Sequence, residues 1–255
     1  QMSMLPQAFP AFPDRTEFDL YALLKPAREV GGDFYDFFLL DDDRICLVVG
    51  DVSGKGVPAA LFMAVSQTMI KTAAKGDTSP ASIVTRVNDA LSADNPTSMF
   101  VTLFLAIVDF RSGRFSYCNA GHNPPYIVQA DGGLTCLNQR HGVVMGAMEE
   151  LAYGESEGKL KEGDALFLFT DGVTEAMDME GQLYDETRLE QLLERADRSG
   201  AEQLTGAVLE SVEGFAQGAE QSDDITILAY YARQSSETDT ANTLDITIEA
   251  DIAQI

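Results

Sequence analysis

Four short apolar runs in this chain each begin or end in an aspartate, and any fold must account for where those four carboxylates go. Asp33 falls in Val30-Gly31-Gly32-Asp33-Phe34-Tyr35-Asp36, Asp51 follows Leu47-Val48-Val49-Gly50, Asp171 follows Phe167-Leu168-Phe169-Thr170, and Asp223 precedes Ile225-Thr226-Ile227-Leu228. Asp51 and Asp171 close their runs while Asp33 and Asp223 open theirs, so antiparallel pairing carries all four to one rim. Carboxylates gathered in a partly dry cleft repel one another and lose hydration, which cations or other partners must offset. A single Asp at a strand end is ordinarily a cap or turn residue. Four on one rim read as a metal cage.

The 255 residues are 45% hydrophobic, enough apolar content for one large domain. A formal net charge of −24 at pH 7 opposes contact with phosphate backbones and anionic bilayers, so neither nucleic-acid binding nor direct membrane contact is expected. Cys46, Cys118 and Cys136 are odd in number and lack CxxC spacing, which argues against a disulfide framework or a zinc knuckle and for a reducing, cytoplasmic setting. The longest apolar stretches, Val57 to Val65 and Met99 to Val108, are shorter than the roughly 20 residues a membrane-spanning helix needs. The first residue is Gln and no signal-peptide pattern follows, so the expectation is a piece of a longer parent, for which a membrane anchor stays open.

Periodicity gives the elements. Residues 1–17 carry Pro6, Pro10 and Pro13 and read as the end of an upstream linker rather than a stable element. Phe18, Leu20, Ala22 and Leu24 alternate as a strand, and Phe34 to Leu40 with Ile45 to Val49 form a hairpin whose solvated tip is Asp41-Asp42-Asp43. Pro58 to Lys75 is helical, apolar nearly all round, and expected to be largely buried; Ser79-Pro80 caps and starts a second helix that ends by Asn95-Pro96. Further strands are predicted at Met99 to Val108, Arg114 to Asn119, Tyr126 to Gln129, Ala165 to Thr170 and Ile225 to Tyr231, with helices around Glu186 to Ala196 and Ala201 to Ala216. Grouped strands and grouped helices indicate an α+β fold: two antiparallel sheets flanked by helices. Residues 233–255 read as a polar linker followed by Leu244, Ile246 and Ile248 in alternation, either the first strand of a following domain or an added edge strand.

Gly31, Gly32, Gly50, Gly54, Gly56 and Gly172 flank the aspartates and permit tight turns and close backbone approach, leaving carbonyls such as that of Val52 available as ligands. Two divalent ions on shared carboxylates can bind a phosphate, lower the pKa of a bridging water and align it for in-line attack, with no protein nucleophile required. An all-oxygen ligand set favours magnesium or manganese over zinc or copper, without choosing between the first two.

These residues resemble a known family. Ala27-Arg28-Glu29-Val30-Gly31-Gly32-Asp33-Phe34-Tyr35-Asp36, Gly50-Asp51-Val52-Ser53-Gly54-Lys55-Gly56, Asn119-Ala120-Gly121-His122-Asn123-Pro124-Pro125, Phe169-Thr170-Asp171-Gly172-Val173-Thr174-Glu175 and Ser222-Asp223-Asp224-Ile225-Thr226 look, in order, like motifs of the metal-dependent (PPM) serine/threonine phosphatases related to protein phosphatase 2C. The likeness is to the bacterial branch typified by SpoIIE and RsbU and covers about Phe18 to Tyr231, a phosphatase domain at 18–232. It implies an αββα sandwich and a pair of Mn2+ or Mg2+ ions held by Asp33 and Asp51, with Asp51 bridging and the Val52 carbonyl assisting. Asp171 and Asp223 would complete one shell, Asp224 being the weaker candidate of its pair. It also implies a phosphoserine or phosphothreonine substrate on an anti-sigma-factor antagonist of the STAS type, in partner-switching signalling.

Two positions depart from or only touch the family pattern. Eukaryotic members carry a histidine, proposed as general acid, where this chain has Ser53, so protonation of the leaving group is unassigned. Arg28, five residues before Asp33, has the spacing of the family's phosphate-holding arginine; bidentate phosphate contact and a surface ion pair both suit it. Gly50 to Lys55 lacks the spacing and the Ser or Thr of an NTPase phosphate loop. His122 reads as bracing the following turn, His141 has no evident partner, and Lys55 near a helix start could attract phosphate but reads first as an ordinary exposed lysine. Other classes remain open: a catalytically silent docking module with this fold, and a two-metal hydrolase of small phosphoesters. The upstream segment is expected to control the site through the helix after Asp51, and a homodimer is left open.

Overall fold

Residues 1–93 and 95–233 are described by the computed structural model, and among them the apolar runs form ten strands and four α-helices. In chain order these are β1 (Phe18–Lys25), β2 (Phe34–Leu39), β3 (Arg44–Val52), α1 (Val57–Ala73), α2 (Pro80–Ser92), β4 (Val101–Asp109), β5 (Arg114–Ala120), β6 (Tyr126–Val128), β7 (Leu134–Cys136), β8 (Ser156–Lys159), β9 (Ala165–Phe169), α3 (Asp185–Arg195), α4 (Ala201–Phe215) and β10 (Ile225–Ala232). The strands make two antiparallel sheets, β1-β10-β9-β6-β7 and β2-β3-β4-β5-β8. α1 and α2 cover the second sheet, and α4 with α3 covers the first, giving the expected αββα sandwich. The strand expected around Leu244 to Ile248 lies outside the described residues.

Double coverage explains the strand composition. On β9, Leu166 and Leu168 face the other sheet while Phe167 and Phe169 face α3 and α4, so all five residues of the strand are buried. A strand buried on both faces reads as a continuous apolar run. β7 and β8 escaped the sequence reading because they are short edge strands with exposed positions, and Ser-Glu-Gly-Lys in β8 has no apolar face at all.

α1 corrects an expectation. Ala59, Met63, Ser66, Gln67 and Ile70 are buried, but Val57, Leu61 and Val65 are 62%, 64% and 46% exposed. One face packs on the sheet, and the helix lies on the outer layer, so its second apolar stripe meets solvent. Ser79 caps α2 as expected, its hydroxyl accepting the Ser82 N–H at 3.2 Å.

The opening segment is more structured than its prolines suggest. Leu5 is buried, Phe9 stacks on Tyr21 at 4.5 Å, and Pro6 O accepts the Tyr35 hydroxyl at 2.7 Å. Its aromatic side chains, rather than its backbone propensity, hold it down. Cys46, Cys118 and Cys136 are all free thiols, the first two buried. No described helix is long and apolar enough to cross a membrane.

Candidate metal centre

Strand register gathers the acids. In the β2–β3 hairpin Phe34 pairs with Gly50, so Asp33 and Asp51 stand side by side just beyond that pair. In the other sheet β9 and β10 pair Phe169 with Ile227, which brings Asp171 beside the Asp223-Asp224 turn. The two sheets meet at this rim: Thr170 and Thr226, from the first sheet, both donate hydroxyls to Asp33 Oδ2 at 2.7 Å. Thr170 Oγ1 also accepts the Thr226 N–H at 3.0 Å. Sequence reading passed over both threonines; each lies inside a quoted motif, but only the register shows that they converge.

Burial and mutual repulsion dominate the electrostatics. Asp33 is 2% exposed, and burial followed by the charge of Asp51 holds its carboxyl well above the usual range, despite the threonine donors. Asp51 is pushed up to about 7 by burial first and then by Asp171, with smaller contributions from Asp223 and Asp224, against a hydrogen bond with Asp33. Asp171 is raised by burial, then by Glu175 and Asp223. Asp51 is the link: it acts on Asp33 and itself feels Asp171 and Asp223, which places these acids near one another.

Close backbone approach completes the rim. A Cβ on Gly32 would lie 2.5 Å from the Val52 carbonyl oxygen, so this glycine keeps that oxygen at the site's edge. Asp224, 4% exposed, accepts the Ala27 N–H at 2.8 Å and packs its other oxygen against Gly31, which anchors the loop carrying Arg28. Arg28 itself is exposed in a narrow cleft of about 10 Å3 that it shares with Gly31, Gly32, Lys55, Asp223 and Asp224; it forms no ion pair among the described residues.

Lys55 is exposed, as expected, and is paired. Its Nζ lies 2.9 Å from Asp223 Oδ2 and 3.0 Å from the Ser222 carbonyl. His122, in contrast, is structural: its side chain meets Thr102 Oγ1 on β4 at 2.9 Å and the Phe169 carbonyl on β9 at 3.1 Å, tying one sheet to the other. The turn leading into His122 is braced by the Asn119 side chain, which donates to the His122 carbonyl and accepts its N–H. His141 has partners after all, the Asn119 N–H and Ser156.

Among the described residues no three Asp, Glu, His or Cys side chains are set as a finished ligand shell. Asp33 is turned onto its threonines, Asp223 onto Lys55 and Asp224 onto Ala27. The chemistry of the donors nevertheless fits hard divalent cations: they are oxygens only, and burial with like charge disfavours their ionised forms until positive charge offsets it.

Comparison with known proteins agrees with this geometry. Residues 41–233 match the family model of stage II sporulation protein E (SpoIIE). The chain is 31% identical over 249 residues to protein IcfG of Synechocystis sp., covering 87% of this chain and 39% of that protein. It is 30% identical over 217 residues to the phosphoserine phosphatase RsbU of Bacillus subtilis, covering 85% and 64%. It therefore spans less than two thirds of either relative. Among solved structures, the SiaA-PP2C domain of Pseudomonas aeruginosa superposes with a TM-score of 0.74 at 26% identity, covering 83% of this chain and 85% of that one. With its ordered motifs, its αββα sandwich and its acidic rim, this chain belongs to the SpoIIE family of PP2C-type (PPM) phosphatase domains.

Proposed function

We propose that this domain hydrolyses phosphoserine or phosphothreonine on a protein, with two divalent ions, Mn2+ or Mg2+, held by Asp33, Asp51, Asp171, Asp223 and the Val52 carbonyl. The observation that carries this reading is the convergence of Asp33 and Asp51 in a buried, mutually repelling pair beside Asp171 and Asp223. When bound, the ions would neutralise the phosphoryl charge and supply an activated water. The chain's own part is positional. Thr170 and Thr226 hold Asp33, Gly32 keeps the Val52 carbonyl exposed to the site, and Asp224 holds the loop that presents Arg28 to a phosphate.

Two features favour a protein substrate over a free small phosphoester. The space between Arg28, Lys55 and Asp223 is only about 10 Å3, whereas sites that enclose a nucleotide-sized ligand are typically several hundred Å3. A phosphoryl group carried on another protein's surface needs only the rim. RsbU bears the name phosphoserine phosphatase, which supports phosphoserine as the substrate group; the substrate we propose is a STAS-type anti-sigma-factor antagonist, in partner switching in the cytoplasm. Control by the upstream part of the parent chain is consistent with Gln1, whose side chain donates to the Gly31 carbonyl at 2.9 Å and accepts the Gly31 N–H at 3.0 Å beside Asp33.

The test is phosphate release from phosphorylated antagonist proteins and from a free nucleotide, side by side, with Mn2+, Mg2+ or chelator. Metal-dependent release from the phosphoprotein, abolished in Asp171→Ala, is the expected result. Release from the nucleotide alone, or activity indifferent to Asp171, would sink it.

A further inference from the structure

Hydrolysis of a phosphoserine expels an aliphatic alkoxide, a poor leaving group unless its developing charge is stabilised as the bond breaks. The obvious side chains are engaged elsewhere. Ser53 Oγ accepts the Phe100 N–H at 2.9 Å and is turned toward the start of β4. His122 is 1% exposed with both ring nitrogens occupied, and His141 is held between Asn119 and Ser156. Those are the chain's two histidines.

Lys55 is placed differently. It stands between Gly54 and Gly56, whose φ values of 87° and 78° make a protruding loop with open space around both. Its side chain is 47% exposed and lines the same cleft as Arg28, Gly31 and Gly32. In-line displacement sets the attacking water and the leaving oxygen on opposite sides of phosphorus. Asp33 is buried while Lys55 is exposed and joined to Asp223, so a protein-borne phosphate that enters from solvent and reaches the acids has its ester oxygen on the outer side, where the Lys55 ammonium lies.

We propose that Lys55 stabilises the leaving seryl or threonyl oxygen, an inference that rests on the phosphatase reading above. The water oxygen bonds to phosphorus, the bond from phosphorus to the ester oxygen breaks, and its electron pair stays on that oxygen beside the ammonium. The proton shed by the attacking water ends on the departing alcohol, and Lys55 keeps its own protons throughout. The ammonium reaches the leaving oxygen by turning away from Asp223, which it must give up when that carboxylate ligates a cation.

The experiment compares wild type, Lys55→Met and Lys55→Arg on a phosphoserine protein and on p-nitrophenyl phosphate, whose leaving group needs no such help, together with Mn2+ affinity by calorimetry. Lys55→Met is expected to lower kcat/KM about 100-fold on the phosphoserine substrate and less than about 3-fold on p-nitrophenyl phosphate, with Lys55→Arg recovering most of the loss. Mn2+ binding to Lys55→Met should equal or exceed wild type, because a competing cation has been removed from Asp223. Equal losses on both substrates, no loss on either, or weakened Mn2+ binding would overturn the proposal. If wild type binds Mn2+ yet hydrolyses neither substrate, the phosphatase reading itself fails and this inference with it.

Discussion

Thr226 donates its hydroxyl to Asp33 Oδ2 at 2.7 Å across 193 residues of chain, joining the β1-β10-β9 sheet to the loop that opens the other sheet. A buried carboxylate left with one fewer donor is harder to ionise and harder to hold in place. Thr226→Val keeps the shape and removes the hydroxyl. The expected outcome is a loss of about 1–3 kcal/mol by urea denaturation and a roughly 10–100-fold weaker Mn2+ affinity by calorimetry. Unchanged Mn2+ affinity would show that Asp33 does not depend on this clamp.

Metal-free stability should depend on the acidic pair. Asp51 is raised in the folded state from 3.8 to about 7, so its favourable contribution is complete below the unfolded value and is lost as pH rises through about 7. The metal-free protein should therefore melt at lower temperature as the pair ionises, and saturating Mn2+ should remove that trend while binding more tightly at higher pH. Thermal melts at several pH values, with chelator and with Mn2+, check both statements.

His122 works in the opposite sense. Burial lowers it from 6.5 to about 4, against the Phe169 carbonyl, so its contribution is present above 6.5 and is lost as pH falls toward 4. The loss amounts to at most about 3.5 kcal/mol, from 6.5 to about 4 at about 1.4 kcal/mol per pH unit. In metal-free protein the two slopes oppose each other between pH 4 and 7. Replacing His122 by Gln should uncover the carboxylate trend as a steeper rise in stability toward acid; parallel curves for the two proteins would contradict the assignment.

Gly172 has no room for a side chain. A Cβ there would sit 1.9 Å from the Asp224 carbonyl oxygen, a backbone atom with no freedom to move aside. Gly172→Ala should cost about 1–3 kcal/mol of stability and weaken metal binding, because the clash separates the Asp171 turn from the Asp223-Asp224 turn. Denaturation and Mn2+ titration of this variant, beside Gly206→Ala at an open position, make the comparison.

The two faces of α1 should respond unequally. Met63 is fully buried, so Met63→Ala is expected to cost about 2–5 kcal/mol, whereas Leu61→Ser on the 64% exposed stripe should stay within about 0.5 kcal/mol. Similar losses at both positions in urea denaturation would mean that the outer stripe is covered in solution.

Much of the architecture was legible before any coordinates. Alternation placed β1, the apolar runs placed the β2–β3 hairpin, β9 and β10, and Ser79-Pro80 marked the start of α2, because each depends on local chemistry. The polar edge strand β8 was illegible for the same reason: its pairing comes from β5, not from its own residues. The α1 sequence revealed a helix but not that Val57, Leu61 and Val65 meet water, since periodicity reports which residues share a face and not what lies opposite.

The site divides along the same line. The order of the motifs named the aspartates and, through strand direction, put them on one rim, because the ends of antiparallel strands alternate predictably. Only the tertiary structure decided that Asp33 is gripped by Thr170 and Thr226, that Asp224 anchors the Arg28 loop, and that Lys55 rather than a histidine stands over Asp223. Those contacts join segments more than a hundred residues apart, and distance along a chain carries no trace of them until the two sheets close.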